Sequence, residues 1–363
     1  MLDHIRAEIG EAAIWASIDE TTDAEGRLIG NVIVGRLELK PSRAFLIHSA
    51  TMERVNHTTI GKLLNEGLQV LYPNGVQFEK LLLLVTDAAA YMIKAATGLQ
   101  TSYPKMVHLT CLAHGLHRVA EHIRSLYPDI DSLISCIKKI FVKAPLRVQI
   151  FTAGHPNLPL PPEPVITRWG TWLNAALYYA ENLTLIAPTI NSFDETDAAA
   201  IRQAQQLLKN ELIPGQLAFI KAHFSSLSSA ITQLESVGML LSQSLSIVAA
   251  ARADLAVSSG EPAVSTLAKF DRVLANNTGY TTLQRISRVL LAESERFEEP
   301  ESELTPSDIA NFKFAPITSC DVERSFSIYR HILSDRRRGF TFENLKMTLI
   351  VNSNFSSSDE GRD

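Results

Sequence analysis

The stretch Leu81-Leu82-Leu83-Leu84-Val85-Thr86-Asp87 decides the fold, because a nearly unbroken apolar run leads directly into one carboxylate. Apolar residues at successive positions are typical of a strand that helices cover on both faces of a sheet. Asp87 then lies at the carboxyl end of that strand, the edge where open α/β sheets place their ligand sites. A carboxylate there is either solvated or holds a cation. We therefore expect Asp87 to be one of three acids that meet at this edge.

The chain around this stretch alternates between strand-like and helix-like segments. Segments Ala12–Ile18 and Leu28–Leu37, joined by a polar turn with Gly26, predict a hairpin. The other predicted elements are strand Arg43–His48, helix Thr58–Leu71, strand Leu81–Thr86, helix Ala88–Ala96, strand Met106–Thr110 and helix Cys111–Tyr127. The order β-β-β-α-β-α-β-α makes the buried strand parallel to an earlier one, because a strand–helix–strand crossover joins parallel strands.

Helices dominate the rest of the predicted secondary structure. They are Asp131–Val142, Arg168–Ala187, Ala198–Leu212, Pro214–Glu235, Leu240–Leu255, Pro262–Ala275, Thr281–Arg296 and Ser319–Leu333. A proline-rich break at residues 156–164 interrupts the series, and the acidic segment 298–303 is expected to be a solvated loop. Thr318 is the expected N-cap of the last helix, and residues 356–363 are expected to be disordered.

The composition excludes several classes of protein. A hydrophobic fraction of 46% in 363 residues is typical of a globular chain with one large domain or two ordinary ones. A net charge of −5 is not the basic footprint of sequence-independent DNA binding. Cys111, Cys136 and Cys320 are too few and too scattered for a disulfide framework or a zinc finger. Because no apolar run of 18 residues is present, we predict a soluble intracellular protein.

Four sequence blocks carry a resemblance to a known family. They are Cys111-Leu-Ala-His114, Thr167-Arg-Trp-Gly-Thr-Trp172, Cys320-Asp-Val-Glu-Arg-Ser-Phe-Ser327 and Leu333-Ser-Asp-Arg-Arg-Arg-Gly-Phe-Thr-Phe-Glu-Asn-Leu-Lys346. Together with the order of strands and helices, the blocks resemble hAT-family DNA transposases over residues 15–354. The resemblance implies an α/β fold with a ribonuclease-H-like mixed five-stranded sheet, interrupted by a long all-α insertion.

The resemblance also implies three ranges along the chain. Residues 1–150 would form the first part of the ribonuclease-H-like core, and residues 151–310 the helical insertion. Residues 311–363 would supply the helix that completes the core, a dimerisation segment and the tail. The resemblance expects four residues to bury against a partner or against the insertion: Phe326, Ile332, Leu333 and Leu345.

The resemblance implies that Asp19, Asp87 and Glu323 are the catalytic residues and the ligands of two Mg²⁺ or Mn²⁺ ions. In the family, the first strand carries one acid, the fourth strand ends in another, and a late helix supplies the third. Two divalent ions about 4 Å apart can clamp the attacking and leaving oxygens of a phosphodiester, and Mg²⁺ prefers oxygen ligands. Asp19 would bridge both ions, while Asp87 and Glu323 would each complete one site.

Each acid also has an ordinary structural interpretation, which the sequence leaves open. Asp19 can be a turn acid of the hairpin, next to Asp23. Asp87 can cap the helix that follows it, a frequent use of aspartate. Glu323 can oppose the dipole of its helix or pair with a neighbouring arginine.

Cys111 and His114 lie three positions apart at the start of a predicted helix. That spacing can contribute to a zinc site, but two further ligands are missing from the motif. The resemblance places both residues beside the metal ions as supporting residues, with Cys111 in a packing role. A histidine satisfied within the core is the alternative for His114.

DNA contacts are expected from residues in the insertion and near the C-terminus. The resemblance implies this role for Arg168, Trp169, Arg336, Arg337 and Arg338. The indole of Trp169 would stack on a displaced base, or else Trp169 and Trp172 are core residues of one helix. A second basic cluster can contact phosphates or remain solvated; its members are Lys138, Lys139, Lys143 and Arg147.

Two departures from the family pattern stand out. No zinc-finger module precedes Ile14, and Ala88-Ala89-Ala90 follows Asp87 where the family often has an asparagine. The first leaves target-site recognition open, and the second leaves the support of the metal site open.

The expected function is metal-dependent DNA cleavage followed by strand transfer, in the nucleus, by a homodimer or higher oligomer. The alternative is a domesticated, inactive transposase that binds DNA or proteins as a scaffold. A nuclease acting on RNA–DNA hybrids is disfavoured because it would not need a helical insertion of roughly 160 residues.

Overall fold

The computed structural model of the chain describes residues 1–164, 169–292, 304–333 and 341–355. Contacts divide the chain into two compact units. The sheet unit contains residues 1–114, 234–246 and 275–363, and the helical unit contains residues 115–233 and 247–274. Within the described residues, no helix is both long enough and apolar enough to cross a membrane.

The sheet unit is built on a mixed sheet of five strands. The strands are β1 (Ala13–Thr22), β2 (Leu28–Leu37), β3 (Ala44–Met52), β4 (Leu81–Thr86) and β5 (Val107–Thr110). Their spatial order is β3-β2-β1-β4-β5. Strands β1, β2 and β3 are antiparallel neighbours, whereas β4 lies parallel to both β1 and β5. The predictions of an α/β fold with a mixed sheet and of a buried strand, β4, that lies parallel to an earlier one are therefore confirmed.

Helices make up most of the remaining described residues. They are α1 (Leu2–Ile9), α2 (His57–Leu71), α3 (Ala90–Gln100), α4 (Leu112–Leu126), α5 (Pro128–Phe141), α6 (Pro145–Gly154), α7 (Thr171–Asn191), α8 (Ala199–Leu208), α9 (Leu212–Leu234), α10 (Leu241–Ala256), α11 (Glu261–Ala275), α12 (Thr278–Leu290), α13 (Pro306–Asn311), α14 (Cys320–Ile332) and α15 (Phe342–Phe355). Short 3₁₀ turns cover Phe78–Lys80 and Phe312–Phe314.

The apolar run of β4 is buried at each of its six positions. Helix α2 covers β2 and β3 with an apolar stripe of Ile60, Leu63, Leu64, Leu68 and Leu71. Each fully buried leucine or isoleucine contributes roughly 1.5–3 kcal/mol relative to an exposed one. Burial of this stripe fixes the covered face of the sheet and leaves the opposite face to α14, which contacts β1, β2 and β3.

Both outer strands of the sheet are capped by a buried asparagine. Asn277 accepts a hydrogen bond from the Thr110 amide of β5 and donates one to its carbonyl, at 3.2 and 2.7 Å. Asn354 of α15 makes the same pair of bonds with Leu46 of β3, at 3.1 and 2.9 Å. At each edge, the side-chain amide makes the two hydrogen bonds that a residue of a further strand would make. The backbone N–H and C=O groups of Thr110 and Leu46 are therefore satisfied.

Glycine permits the close approach of α12 to strand β5. A Cβ atom at Gly279 would lie 2.1 Å from the carbonyl oxygen of His108. Any other residue would therefore push the helix away from the strand. The approach brings Asn277, directly before α12, within bonding distance of Thr110.

The helical unit has an aliphatic and aromatic core of its own. Helix α5 packs on α8, and the rings of Phe141 and Phe151 lie edge to face with centroids 5.3 Å apart. Trp172 of α7 is only 3% exposed, which confirms the expectation that it is a core residue.

Several predicted boundaries were wrong in ways that bear on the site. Strand β1 does not end near Asp19 but continues to Thr22, because pairing with β2 extends over its full length. Helix α3 begins at Ala90, with Ala89 as N-cap. The N-cap of α14 is Ser319 and not Thr318, and its side chain makes no capping bond.

Some helices were not predicted. They are α1, α6, α13 and α15. The expected ranges 1–150, 151–310 and 311–363 remain a prediction; by contacts, residues 115–150 group with the helical unit. The expected disorder of residues 356–363 lies outside the described residues.

We predict that Asn354→Ala lowers the free energy of unfolding by about 1–3 kcal/mol, because the Leu46 amide and carbonyl lose their partners in a buried position. Urea denaturation measures the change. Asn344→Ala, on the exposed side of the same helix, is the matched control and should have little effect. Equal stability of both variants would contradict the edge-capping role.

Candidate metal centre

The structure brings Asp19, His114 and Glu323 together from distant parts of the sequence. One candidate ligand atom from each residue lies within 4.8 Å of the others. Asp19 belongs to β1, His114 to the first turn of α4, and Glu323 to the first turn of α14. All three belong to the sheet unit. Two carboxylates and an imidazole form a set of ligands that could hold a metal ion.

Asp19 is fixed by its strand. It lies opposite Asn31 of β2 and is only 7% exposed. Its Oδ1 accepts a hydrogen bond from the Glu20 amide at 2.8 Å. Neither the Glu20 amide nor the Asn31 side chain carries a positive charge, so neither neutralises the carboxylate.

Glu323 is positioned by two contacts that dock α14 on the sheet. Asn31 donates a hydrogen bond to Ser325 Oγ at 2.8 Å, one half-turn beyond Glu323. Tyr329 donates one to the buried Asp23 at 2.9 Å, at the turn of the first hairpin. These contacts fix the rotation of the helix about its axis, which turns Glu323 toward Asp19.

His114 is held where β5 passes into α4. The amide of Leu112 donates to the carbonyl of Ile317 at 3.0 Å, so the start of α4 lies beside the segment that leads into α14. His114 Nδ1 lies 3.4 Å from Ser319 Oγ, and Nε2 lies 3.5 Å from Glu323 Oε1. The imidazole therefore spans the space between the helix start and the acid.

Cys111 supports this arrangement through hydrogen bonds to Ser319 and His114. Its buried Sγ accepts a hydrogen bond from the Ser319 amide at 3.2 Å. The thiol also hydrogen-bonds His114, which lowers the Cys111 pKa against the opposing effect of burial. Cys111 thus contacts both His114 and the start of α14, whereas His114 lies among the candidate ligands themselves.

The two acids of the cluster have opposite pKa shifts. Burial raises the pKa of Asp19 well above its usual value, and the nearby charge of Glu323 raises it further. Burial also acts to raise the pKa of Glu323. His114, through a hydrogen bond and its charge, and a hydrogen bond to Asp19 together outweigh burial and lower the Glu323 pKa below its usual value. Without a cation, Asp19 therefore tends to retain a proton while Glu323 is ionised.

The pKa of His114 is raised to about 11. Burial alone would lower it, but hydrogen bonds to Cys111 and Glu323 and the charges of Cys111 and Asp19 outweigh burial. In the metal-free protein, the protonated imidazole supplies the positive charge that the buried acids require. A metal ion bound here would replace that charge and release the proton.

Asp87 stands apart from the ligand group. Its Oδ1 accepts a hydrogen bond from the Ala89 amide at 3.0 Å, two residues on in the turn before α3. The alternative interpretation of Asp87 as the N-cap of this helix was wrong, because Ala89 is the N-cap and no side chain caps α3. Its charge nevertheless raises the pKa of both Asp19 and Glu20. Asp87 is therefore close enough to act on the cluster electrostatically without sharing its ligand positions.

Glu20 was not predicted as part of this region. Burial raises its pKa, and its Oε1 accepts a short hydrogen bond from the Tyr91 hydroxyl of α3. Its other oxygen is buried without a hydrogen bond from the described residues. Position 20 directly follows Asp19 in the strand, but only the fold shows that α3 provides its partner.

The expected DNA-binding residues are only partly described. Arg168, Arg336, Arg337 and Arg338 lie outside the described residues. Trp169 is half-buried in the helical unit, at the turn before α7. The next residue, Gly170, has a φ of 65° and its amide donates to His117 Nδ1 at 3.4 Å.

The second basic cluster is partly neutralised within the helical unit. Lys138 pairs with Glu163, and Arg147 lies 3.5 Å from Asp197. The other two members of the cluster, Lys139 and Lys143, form no ion pair with an acid of the described residues. The ion pairs of Lys138 and Arg147 favour the interpretation of these two residues as ordinary surface charges.

The four apolar residues expected to bury against a partner or against the insertion are buried in the chain itself. They are Phe326, Ile332, Leu333 and Leu345. Helices α14 and α15 pack on each other and on the sheet, which covers these side chains within the chain itself. The large apolar side chains that α15 leaves exposed are Met347, Val351 and Phe355.

No protein-family profile matched the chain, and no curated protein was significantly similar to it. The geometry of the site therefore has to be interpreted from its own residues.

We predict that the His114 ring remains protonated up to about pH 11 in the metal-free protein. Because this pKa is raised above the unfolded value of about 6.5, the associated stability is fully present below about pH 6.5 and is lost as the pH rises through the folded pKa. NMR titration of the histidine ring measures it. Glu323→Gln should lower the His114 pKa, whereas the exposed Glu53→Gln should not.

Titration of His114 near pH 6.5 in both the wild type and Glu323→Gln would contradict the charge pairing.

Proposed function

We propose that this chain is the catalytic region of a hAT-like DNA transposase, which cleaves DNA with divalent cations and transfers the resulting strand. The observation that carries the proposal is the meeting of Asp19 and Glu323, with His114, within 4.8 Å of one another. These residues come from the first strand, from a late helix and from the Cys111–His114 block. Each of these three parts of the chain resembles a part of this family, and they follow one another in the family's order.

The sheet supports a ribonuclease-H-like fold for the sheet unit. Three antiparallel strands come first, and the next two strands join the first strand's other side in parallel. This order places the acid of β1 in the middle of the sheet, next to the strand that leads into Asp87. The acid of α14 then reaches the same place because the helix crosses β1 and β2.

The ligand set suits Mg²⁺ or Mn²⁺. Carboxylate oxygens are the preferred ligands of both ions, and Mn²⁺ also accepts an imidazole. Two such ions, when bound, would activate the attacking water or 3′-hydroxyl and stabilise the leaving oxygen. Asp19 and Glu323 would hold one ion, and Asp87 with Asp19 a second.

The side chains perform the rest of the chemistry. A cation bound here would favour the ionised form of Asp19, because its positive charge would offset the burial and the charge of Glu323 that raise the Asp19 pKa. His114 must give up a proton to become a ligand and can otherwise remain charged beside the scissile phosphate. The Tyr91–Glu20 hydrogen bond ties α3 to β1 and so supports the position of Asp87 relative to Asp19.

The proposed partners are DNA and a second copy of the chain, and the proposed location is the nucleus. The helical unit would contribute Trp169 and Arg168 to DNA contacts, and the segment before α15 would contribute Arg336, Arg337 and Arg338. An oligomer would then have to use surfaces other than the buried apolar residues of α14.

A second candidate is a domesticated scaffold that no longer cuts DNA. The observation in its favour is Asp87, whose Oδ1 is used by the Ala89 amide and which lies outside the ligand group. Ala88, Ala89 and Ala90 also offer no polar side chain to support a second ion. This form would retain the fold and DNA contacts without a complete pair of cation sites.

We predict that the protein nicks supercoiled plasmid DNA in Mn²⁺ and that Glu323→Gln reduces the rate more than about 100-fold. Loss of a group that only orients a metal ligand already lowers metal affinity or activity about 10- to 100-fold, and Glu323 is itself a proposed ligand. Gel analysis of nicked product measures the rate, and Glu53→Gln is the matched control. Equal rates in wild type and Glu323→Gln would exclude the mechanism; a folded, metal-binding wild type without nicking would support the scaffold.

The two tryptophans near the start of α7 should separate DNA binding from packing. We predict that Trp169→Ala weakens binding to a DNA hairpin with an unpaired base by about 1–3 kcal/mol, the usual value of one base–aromatic stack. Trp172→Ala should instead lower stability by about 3–5 kcal/mol. Fluorescence anisotropy and urea denaturation measure the two effects. Unchanged DNA binding in Trp169→Ala would contradict a stacking role.

A further inference from the structure

A row of buried polar residues crosses the sheet beside the candidate metal centre. Asp19 of β1 lies opposite Asn31 of β2, which lies opposite Ser49 of β3. Directly opposite residues in antiparallel strands project from the same face of the sheet. Asn31 and Ser49 are both 0% exposed. Positions that pack under a helix are normally apolar, so this row requires a reason.

The Asn31 side chain has a defined orientation. Ser325 Oγ donates its hydrogen to the carbonyl of Val322 at 2.6 Å, so it must accept the bond from Asn31. The Asn31 nitrogen therefore faces Ser325 at 2.8 Å. Its Oδ1 lies on the other branch of the amide, away from Ser325.

The Oδ1 atom of Asn31 accepts no hydrogen bond from any described residue, although it is buried. Leaving a buried carbonyl oxygen without a partner costs about 1–3 kcal/mol. In the strand register, the residue Asn31 lies directly opposite Asp19, a candidate ligand. A neutral oxygen with a free lone pair next to a buried carboxylate suits a hard cation or the water bound to it.

We propose that Asn31 supplies a further oxygen to the coordination sphere of the divalent cation that Asp19 and Glu323 would hold. The inference rests on the proposed function, because it assigns one more ligand to the same site. Asn31 then has two tasks. Its nitrogen docks α14 through Ser325, and its oxygen faces the ion that the docked helix helps to bind.

The added oxygen also bears on the choice of metal. Asp19, His114 and Glu323 alone resemble the three-ligand sets that tetrahedral Zn²⁺ uses. Mg²⁺ and Mn²⁺ need six ligands, mostly oxygens, so a fourth protein oxygen favours them over Zn²⁺. Loss of the Asn31 oxygen should therefore weaken Mn²⁺ binding more than Zn²⁺ binding.

The test is direct binding of metal ions to the full chain, with no DNA present. Titration with MnCl₂, followed by the EPR signal of free Mn²⁺, gives the Mn²⁺ affinity, and competition with ZnCl₂ gives the Zn²⁺ affinity. The variants are Asn31→Leu, which removes the oxygen at similar volume, Asn31→Asp, which retains an oxygen, and Ser325→Ala. Asn31→Val, with a strand-favouring side chain, replaces Asn31→Leu if the latter does not fold.

We expect Asn31→Leu to weaken Mn²⁺ binding at least about tenfold, in line with other residues next to metal ligands, and Zn²⁺ binding less. Asn31→Asp should bind Mn²⁺ at least as tightly as the wild type. Ser325→Ala should weaken Mn²⁺ and Zn²⁺ binding by the same factor, because it loosens the docking of α14 without removing an oxygen ligand.

Three results would overturn the inference, and they are distinguishable. Equal Mn²⁺ affinity in the wild type and Asn31→Leu would remove Asn31 from the site while leaving the proposed function intact. A loss of Mn²⁺ binding relative to Zn²⁺ binding that is as large in Ser325→Ala as in Asn31→Leu would reduce Asn31 to a residue that docks α14. A wild type that binds no Mn²⁺ would overturn the proposed metal site and this inference together.

Discussion

Asp19 and Glu323 place two carboxyl groups close together, the first buried and the second partly buried, and the repulsion between them constrains the site. Where water is partly excluded, two adjacent negative charges are costly unless a proton or a cation lies between them. Burial and the charge of Glu323 raise the pKa of Asp19, and His114, whose own pKa is raised to about 11, supplies a positive charge beside both acids. A buried acid pair of this kind weakens a fold, which is why it indicates a site.

The rest of the sheet unit holds these groups in place. Hydrogen bonds from Asn31 and to Asp23 dock α14 on the sheet, while Asn277 closes one outer strand and Asn354 the other. These contacts are polar, directional and buried, so they fix orientation more strictly than apolar packing does. A ligand cluster drawn from two helices and a strand needs that precision, because small rotations of α14 would move Glu323 away from Asp19.

Local patterns in the sequence predicted the elements with continuous or periodic apolar residues. Strand β4 and the stripe of α2 are examples, since their signal lies within a few residues of each other. Asp19 seemed to end its strand because a run of polar residues follows it, yet pairing with β2 extends the strand beyond it. The roles of His114 and Asn31 could not be predicted, because they depend on contacts with α14, some 200 positions or more away along the chain.

Anomalous X-ray scattering from crystals grown with MnCl₂ tests the central claim most directly. The account predicts a manganese peak in contact with one carboxylate oxygen of Asp19 and one of Glu323. A well-ordered site in which these two carboxylates contact no manganese, with ions bound only elsewhere on the chain, would contradict it.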